Sequence, residues 1–276
     1  MAISRSQLVK ELEPGLNALF GLEYKRYENH HAEIYTNENS DRAFEEEVML
    51  SGFGNAQVKG EGAGVSFDDA QETYTARYTK ALARSMSNAK QVKAIEPLIN
   101  GLPSTATFKS GDGVALFSTS HTTVSGPNVA NTLATQADLN ETSLEQSMID
   151  IAKMTDERGL RIAARGLKMI IPSELQFTAE RLMKSQGRTG TADNDINAIV
   201  SMGMVPQGYR VNNYLTDSDA FYILTDIPNG MKMFTRAPLT TAMEGDFDTG
   251  NVRYKARERY SFGVSDFRGI FGVEGA

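Results

Sequence analysis

The stretch YTKALARSMSNAKQVKAIEPLIN, residues 78–100, reads as one long helix. Leu82, Met86, Ala89, Val92, Ile95 and Ile99 recur at steps of three and four, which predicts one apolar stripe. Lys80, Arg84, Ser87, Asn88, Lys90, Gln91 and Lys93 cover much of the remaining surface. Thr79 is the expected N-cap, because its hydroxyl can accept from an amide of the first turn. Pro97 has no amide proton and disfavours helix in the residue before it, so an end or a kink is expected near Ile95. At about 1.5 Å per residue the straight part is roughly 25 Å long. A helix of that length with so narrow a stripe implies that other parts of the chain lie along it.

Upstream, residues 1–45 have weak apolar periodicity. Residues 7–12 give a short helical signal stopped by Pro14 and Gly15, with one more turn at 16–20. The segment reads as an arm that packs on something other than itself. Residues 46–53 and 72–78 alternate in the manner of strands. Between them Gly52, Gly54, Gly60, Gly62 and Gly64 punctuate a glycine-rich centre, so 46–78 is predicted to be a long hairpin. Its sides carry too few large apolar residues to bury a face, and a lone hairpin is marginal in water. The run GEGAGVSF (60–67) lacks the Lys-Ser/Thr of a phosphate loop and opens no helix.

Downstream, 102–130 is rich in turns, with a short buried strand expected at 114–117. Residues 138–156 read as a second helix, with Thr142 and Glu145 as a capping box and Gly159 just past the end. An apolar strand at 167–171, a helix at 174–184 and a helical turn at 196–202 follow. Strands are expected at 209–213, 220–225 and 231–236, the last after the turn Ile227-Pro228-Asn229-Gly230. NVRYKARERYSFG (251–263) alternates strictly. Val252, Tyr254, Ala256, Glu258 and Tyr260 fall on one side, and Arg253, Lys255, Arg257, Arg259 and Ser261 on the other. The mixture predicts an α+β fold.

The chain has 276 residues, of which 40% are hydrophobic and 23% charged, an ordinary globular balance. Its net charge of −7 disfavours binding by broad phosphate neutralisation. Without cysteine it has no disulfide, thiolate nucleophile or cysteine-based zinc site, which suits a reducing cytoplasm. No run resembles a signal peptide, and none reaches the roughly 18 apolar residues of a membrane span.

Chemically suggestive groups are sparse. Ser118 and His121, with Asp112 nearby, offer a nucleophile and a base, and so a hydrolase alternative, but no strand–Gly-x-Ser-x-Gly–helix elbow surrounds Ser118. His30 and His31 with Glu33 provide metal-ligand types, yet neighbours in an extended arm point apart and read as a solvated pair. Asp193, Asp195 and Asn197 alternate as in a calcium loop that lacks its closing acidic residue. Glu45-Glu46-Glu47 reads as a solvated charge run. No cofactor and no metal are expected.

The order of these parts resembles the major capsid proteins of tailed bacteriophages, the Hong Kong 97 fold, and within them the Mu-like major head subunit group. The resemblance rests on GDGVALFSTSHTTVSG (111–126), DERGLRIAARGLKMIIPSELQFTAERLMKS (156–185), TADNDINAI (191–199) and GDFDTGNVRYKARERYSFGVSDFRGIFG (245–272). It implies an N-terminal arm at 1–45, an E-loop hairpin at 46–78 and a peripheral (P) domain with its spine helix at 79–135. An axial (A) domain at 136–231 and return strands at 232–276 complete the division. The family's usual strand and short helix between hairpin and spine have no counterpart here, since Arg77-Tyr78-Thr79 runs straight into the helix.

The implied function is structural, not enzymatic: self-assembly into hexamers and pentamers of an icosahedral head around double-stranded DNA. An encapsulin-like compartment is the alternative within the same fold. Phe53, Lys59, Phe67, Arg253, Lys255, Arg257 and Arg259 are the residues expected at inter-subunit contacts. Expected partners are further copies of the chain, a separate scaffold protein, a portal, decoration proteins and DNA held weakly without sequence preference, with no membrane. The expected location is the virion, after assembly in the host cytoplasm.

Overall fold

The computed structural model describes residues 5–26, 29–39, 69–187, 195–245 and 252–276. The glycine-rich centre at 52–64, with Phe53 and Lys59, and the expected contact Phe67 lie outside the described residues. In chain order the elements are α1 (Arg5–Arg26), β1 (Thr36–Asn39), α2 (Asp69–Ile99), α3 (Glu141–Ala152), β2 (Gly166–Ile171), α4 (Gln176–Lys184), α5 (Ala198–Met202), β3 (Tyr209–Val211), β4 (Phe221–Thr225), β5 (Met231–Gly245), β6 (Val252–Val264) and β7 (Ile270–Val273). The fold is α+β. Two compact units gather these elements. The first holds residues up to 30, 37–93 and 233–261, and the second holds 31–36, 94–232 and 262–276.

In the first unit a sheet runs in the order β1-β5-β6. Its core is small and centres on Phe20 of α1, Ala83 of α2 and Ala256 of β6, flanked by Tyr24, Leu82, Met86, Leu239 and Tyr254. Phe20 stacks on Tyr24 at 5.9 Å between centroids, and the Tyr254 hydroxyl donates to Asn17 Oδ1 at 2.9 Å. Within the expected arm, α1 therefore buries Leu16 and Phe20 within its own chain, and a 3-10 turn and β1 follow it. Fully burying a phenylalanine contributes about 1.5–3 kcal/mol. Pro14 sits inside α1 instead of ending it. The proline removes one backbone hydrogen bond, and packing of the following turns keeps the helix continuous.

Helix α2 begins ten residues before the expected Thr79 cap, and 72–78 is helical where a hairpin flank was expected. Thr79 is interior and buried. Pro97 lies inside the helix, and the Asn100 amide still donates to the Glu96 carbonyl at 2.8 Å. A proline in the last turn costs only the bond its own amide would have made. The buried face overlaps the predicted stripe in part, since Ile95 is buried and Leu82 and Met86 pack against the core. Ala83, Ser87, Lys90, Gln91, Ala94 and Leu98 are buried, whereas Val92 is exposed. Small side chains let neighbouring elements approach closely, and two long polar ones find partners beneath them.

In the second unit the sheet order is β3-β2-β4-β7. β2 pairs with β3 in parallel, Met169 opposite Tyr209, and with β4 antiparallel, Met169 opposite Ile223. β4 pairs antiparallel with β7, Ile223 opposite Phe271. Met169, Ile170 and Ile171 are all buried, as a strand covered on both faces requires. The passage from β2 to β3 carries α4 and α5, the helical crossover that parallel strands need. Gly272 passes under the Phe117 ring, where a Cβ would stand 2.6 Å from two ring carbons.

Several boundaries move. α3 is capped by Asn140, whose side chain accepts from the Ser143 amide while Ser143 Oγ accepts from the Asn140 amide, so Thr142 and Glu145 do not form the box. The helix ends at Ala152, and Gly159 takes φ +85° within a turn closed by the Thr155–Arg161 bridge. The strand expected at 114–117 is a single bridge between Lys109 and Ala115, although Leu116 and Phe117 are buried as expected. β5 runs to Gly245, well beyond residue 236, because it pairs along β6.

Candidate functional site

Strand β6 carries most of the residues that reading of the sequence singled out. Its alternation is realised in three dimensions. Ala256 is buried, and Glu258 lies inward, accepting from the Tyr24 hydroxyl at 2.7 Å and from the Lys90 ammonium. Lys90 also lies 4.8 Å from the centre of the Tyr260 ring. Burial first, and then the Glu258 charge, push the Tyr24 and Tyr260 hydroxyls above the usual tyrosine range, so both remain neutral. On the opposite face Lys255 and Arg257 are exposed and Arg259 is half-buried, while Arg253 is described in its backbone alone. Thr240 Oγ1 donates to the Arg257 carbonyl at 3.3 Å, which ties this part of β6 to β5. Three of the four cations are thus placed on one side of a strand whose other side is anchored to α1 and α2.

Asp112 and His121 do meet. His121 is wholly buried, with Nδ1 2.7 Å from Asp112 Oδ2. Burial alone would raise the Asp112 carboxyl, but the bond from His121, a bond from the Val114 amide and the His121 charge outweigh it and hold its pKa below the usual value. Ser118 does not complete a triad. His121 Nε2 lies 3.2 Å from the Leu116 carbonyl and 3.1 Å from Asn131 Oδ1, and Ser118 Oγ accepts from the Ser120 amide. The ring stacks on Phe267 at 3.8 Å, which closes the histidine away from solvent. A general base must reach the proton it abstracts, and this histidine faces a carbonyl and an amide oxygen instead.

Asn131 and Arg268 are the organisers that reading of the sequence missed. Asn131 Nδ2 donates to the carbonyls of Leu116, Phe267 and Ile270 at 2.8, 3.1 and 3.3 Å. Arg268, only 6% exposed, donates to the Thr155 carbonyl at 2.9 Å and pairs with Glu157 at 2.6 Å and Asp266 at 3.4 Å. The hydrogen bond from Arg268 is the main reason the Glu157 carboxyl lies below its usual range. Neither residue stands in a recognisable motif, since Phe267 and Ile270 for Asn131, and Thr155 and Glu157 for Arg268, are more than a hundred positions away. The one available signal was that both lie in or beside the segments that carried the family resemblance.

The remaining candidates resolve as structure. His30 to Glu33 form a 3-10 turn, and His31 is buried edge-on against Phe262, so the two histidines are not a solvated extended pair. Asn197 caps α5 through the Ile199 and Val200 amides and donates to the Leu182 carbonyl, so it is not placed as a calcium ligand. Among the described residues no cluster of acidic or histidine side chains is arranged to hold a metal ion. No helix among them is long and apolar enough to cross a membrane.

A profile of the phage capsid protein family matches residues 55–273. Among solved structures, a phage-related protein from Bordetella bronchiseptica is similar over 93% of this chain and 96% of its own, with a TM-score of 0.50 at 11% identity. That likeness speaks for the fold alone. The Mycobacterium phage Che8 structure aligns over 76% of this chain and 68% of its own, at 16% identity and a TM-score of 0.43. The capsid of Myoviridae phage XM1 aligns over 76% and 70%, at 12% identity and a TM-score of 0.39. These two are too distant to bear on the argument. No curated protein matches the chain.

Proposed function

The chain belongs to the phage capsid protein family, and from that premise we propose that its copies assemble, through hexamers and pentamers, into an icosahedral head around double-stranded DNA. It is a structural protein of the virion, with an α+β fold of the Hong Kong 97 type. The match across 55–273 carries this reading over its alternatives, an encapsulin-like compartment and a hydrolase using Ser118 and His121. Within the family the wording of 111–126, 156–185, 191–199 and 245–272 favours the Mu-like group.

The finer assignments follow from the same role. The chain divides into an arm, an E-loop, a P domain, an A domain and return strands. Phe53, Lys59 and Phe67 reach neighbouring subunits from the E-loop. Arg253, Lys255, Arg257 and Arg259 meet acidic residues of adjoining copies. The exposure of Lys255 and Arg257 supports that reading, because a cationic strand face left open on an acidic chain is available to steer a carboxylate partner into register. A scaffold, a portal and decoration proteins are the partners this role calls for, and assembly takes place in the host cytoplasm. The total charge of −7 per copy gives a container that repels phosphate at long range, so packaged DNA is held weakly and can slide.

Electron microscopy of the purified protein tests the reading. Closed icosahedral shells are expected, filled with DNA when taken from infected or induced cells. Particles carrying an enzyme cargo and no DNA would favour the compartment. Protein that stays dispersed at all concentrations and turns over an ester substrate, with loss of turnover in His121→Ala, would favour the hydrolase.

A further inference from the structure

We propose that His121 is held as a doubly protonated imidazolium, a buried cation that pins three segments of the second unit together. The surroundings of Asn131 decide its orientation. Nδ2 faces three carbonyl oxygens, those of Leu116, Phe267 and Ile270, and Oδ1 lies 2.9 Å from the Ser118 amide, a donor. Flipping the amide would set donor against donor at Ser118 and oxygen against oxygen at the other three. Oδ1 is therefore an acceptor where it meets His121 Nε2 at 3.1 Å. The second neighbour of Nε2, the Leu116 carbonyl at 3.2 Å, can only accept. On the other side of the ring, Nδ1 meets the Asp112 carboxylate at 2.7 Å.

Every polar atom facing the ring is thus an acceptor. A neutral histidine has one donor and one lone pair, and in this site the lone pair would face oxygen whichever tautomer formed. Asp112, its pKa held below the usual value, is ionised and accepts, so only the imidazolium satisfies both sides, and the carboxylate supplies the counter-charge that a buried cation needs. The charged groups around the ring are few. The 112–114 turn contributes Asp112. The 131 segment contributes only the neutral Asn131 amide. The C-terminal turn contributes the Phe267 ring and Arg268, whose guanidinium lies 4.6 Å from that ring and is paired with Glu157 and Asp266. The cation joins the 112–121 loop to Asn131, and Asn131 in turn holds the backbone at 267–270, which leads into β7.

Nitrogen-15 NMR of histidine-labelled protein tests this directly at neutral pH. The double variant His30→Gln/His31→Gln leaves His121 as the only ring, and in the unaltered chain the ring is identified by its contact with Phe267. Both ring nitrogens of His121 are expected to carry slowly exchanging protons. A lone-pair nitrogen on either side overturns the proposal. A second readout is hydrogen exchange in His121→Gln, which cannot donate at both ends. The paired amides of position 121 and Val129 should exchange about tenfold faster, with β2 and β4 unchanged, as expected for losing one charge-assisted bond. Unchanged exchange at that bridge would show that the ring pins nothing.

Discussion

Lys90 on α2 donates to the carboxylate of Glu258 on β6, and the two side chains keep only 10% and 7% of their surface. A pair so deeply placed is held in register by its geometry, because separating the partners leaves a charge without water. Lys90→Met should destabilise the chain by about 3–5 kcal/mol, since Glu258 is left with the Tyr24 hydroxyl alone. Urea unfolding checks this, with a lower midpoint at unchanged slope. Replacing both residues, Lys90→Met with Glu258→Leu, should recover most of the loss. A single variant within about 1 kcal/mol of the parent, the range of a surface pair, would contradict the pairing.

The Asp112–His121 contact makes stability depend on acid. The folded carboxyl lies below its unfolded value, so its contribution is complete above the unfolded value and is lost as pH falls through the folded one. Asp112→Asn should therefore be less stable than the parent at neutral pH. The gap between the two should begin to narrow below about pH 4, where unfolded aspartate takes up its proton, and close only below the lower folded value. Thermal unfolding across pH reads this, and a gap that stays constant in acid would contradict it.

Gly272→Ala should destabilise by about 1–3 kcal/mol through overpacking. The added Cβ would meet two carbons of the Phe117 ring at 2.6 Å. That ring is itself fixed against Tyr222 at 5.4 Å and has no solvent to move into. A compensating Phe117→Leu should restore part of the loss, as measured by urea unfolding of the paired variants.

Arg257→Glu changes an exposed side chain and should leave the stability of the isolated chain within about 0.5 kcal/mol. Shell yield, read by sedimentation, should fall, and reversal of an acidic partner should restore it. Duplex DNA should bind the dispersed chain weakly before and after the change. Tight binding at physiological salt, abolished at Arg253, Lys255, Arg257 and Arg259, would instead make this face a DNA contact.

Deletion of 52–64 should leave a folded chain that assembles poorly, seen as normal circular dichroism with few particles. Lys59, within that segment, should form no covalent bond to a neighbour. Autocatalytic attack by an amine needs a dry site and a carboxylate to take its proton. A ladder of multimers on a denaturing gel, lost in Lys59→Ala, would overturn the expectation.

Local chemistry made much of the fold readable. Strict alternation at 251–263 carried β6, the continuous apolar run carried β2, and Pro172-Ser173 marked the start of the α4 turn. These signals depend on near neighbours along the chain, so a sequence displays them directly. The order of such segments, together with the wording of four of them, was enough to place the chain in its family. What the tertiary structure alone decided lies in pairs distant along the chain. The buried face of α2 includes Lys90 because Glu258 satisfies a long polar side chain that periodicity assigns to water. Thr79 is interior because α2 begins at Asp69, ten residues before this best local cap. Ser118 lost His121 to Asn131, an amide whose three carbonyl partners come from two distant segments. Lys90 and Glu258, or Asn131 and Ile270, stand more than a hundred positions apart, so no short window of sequence holds both partners.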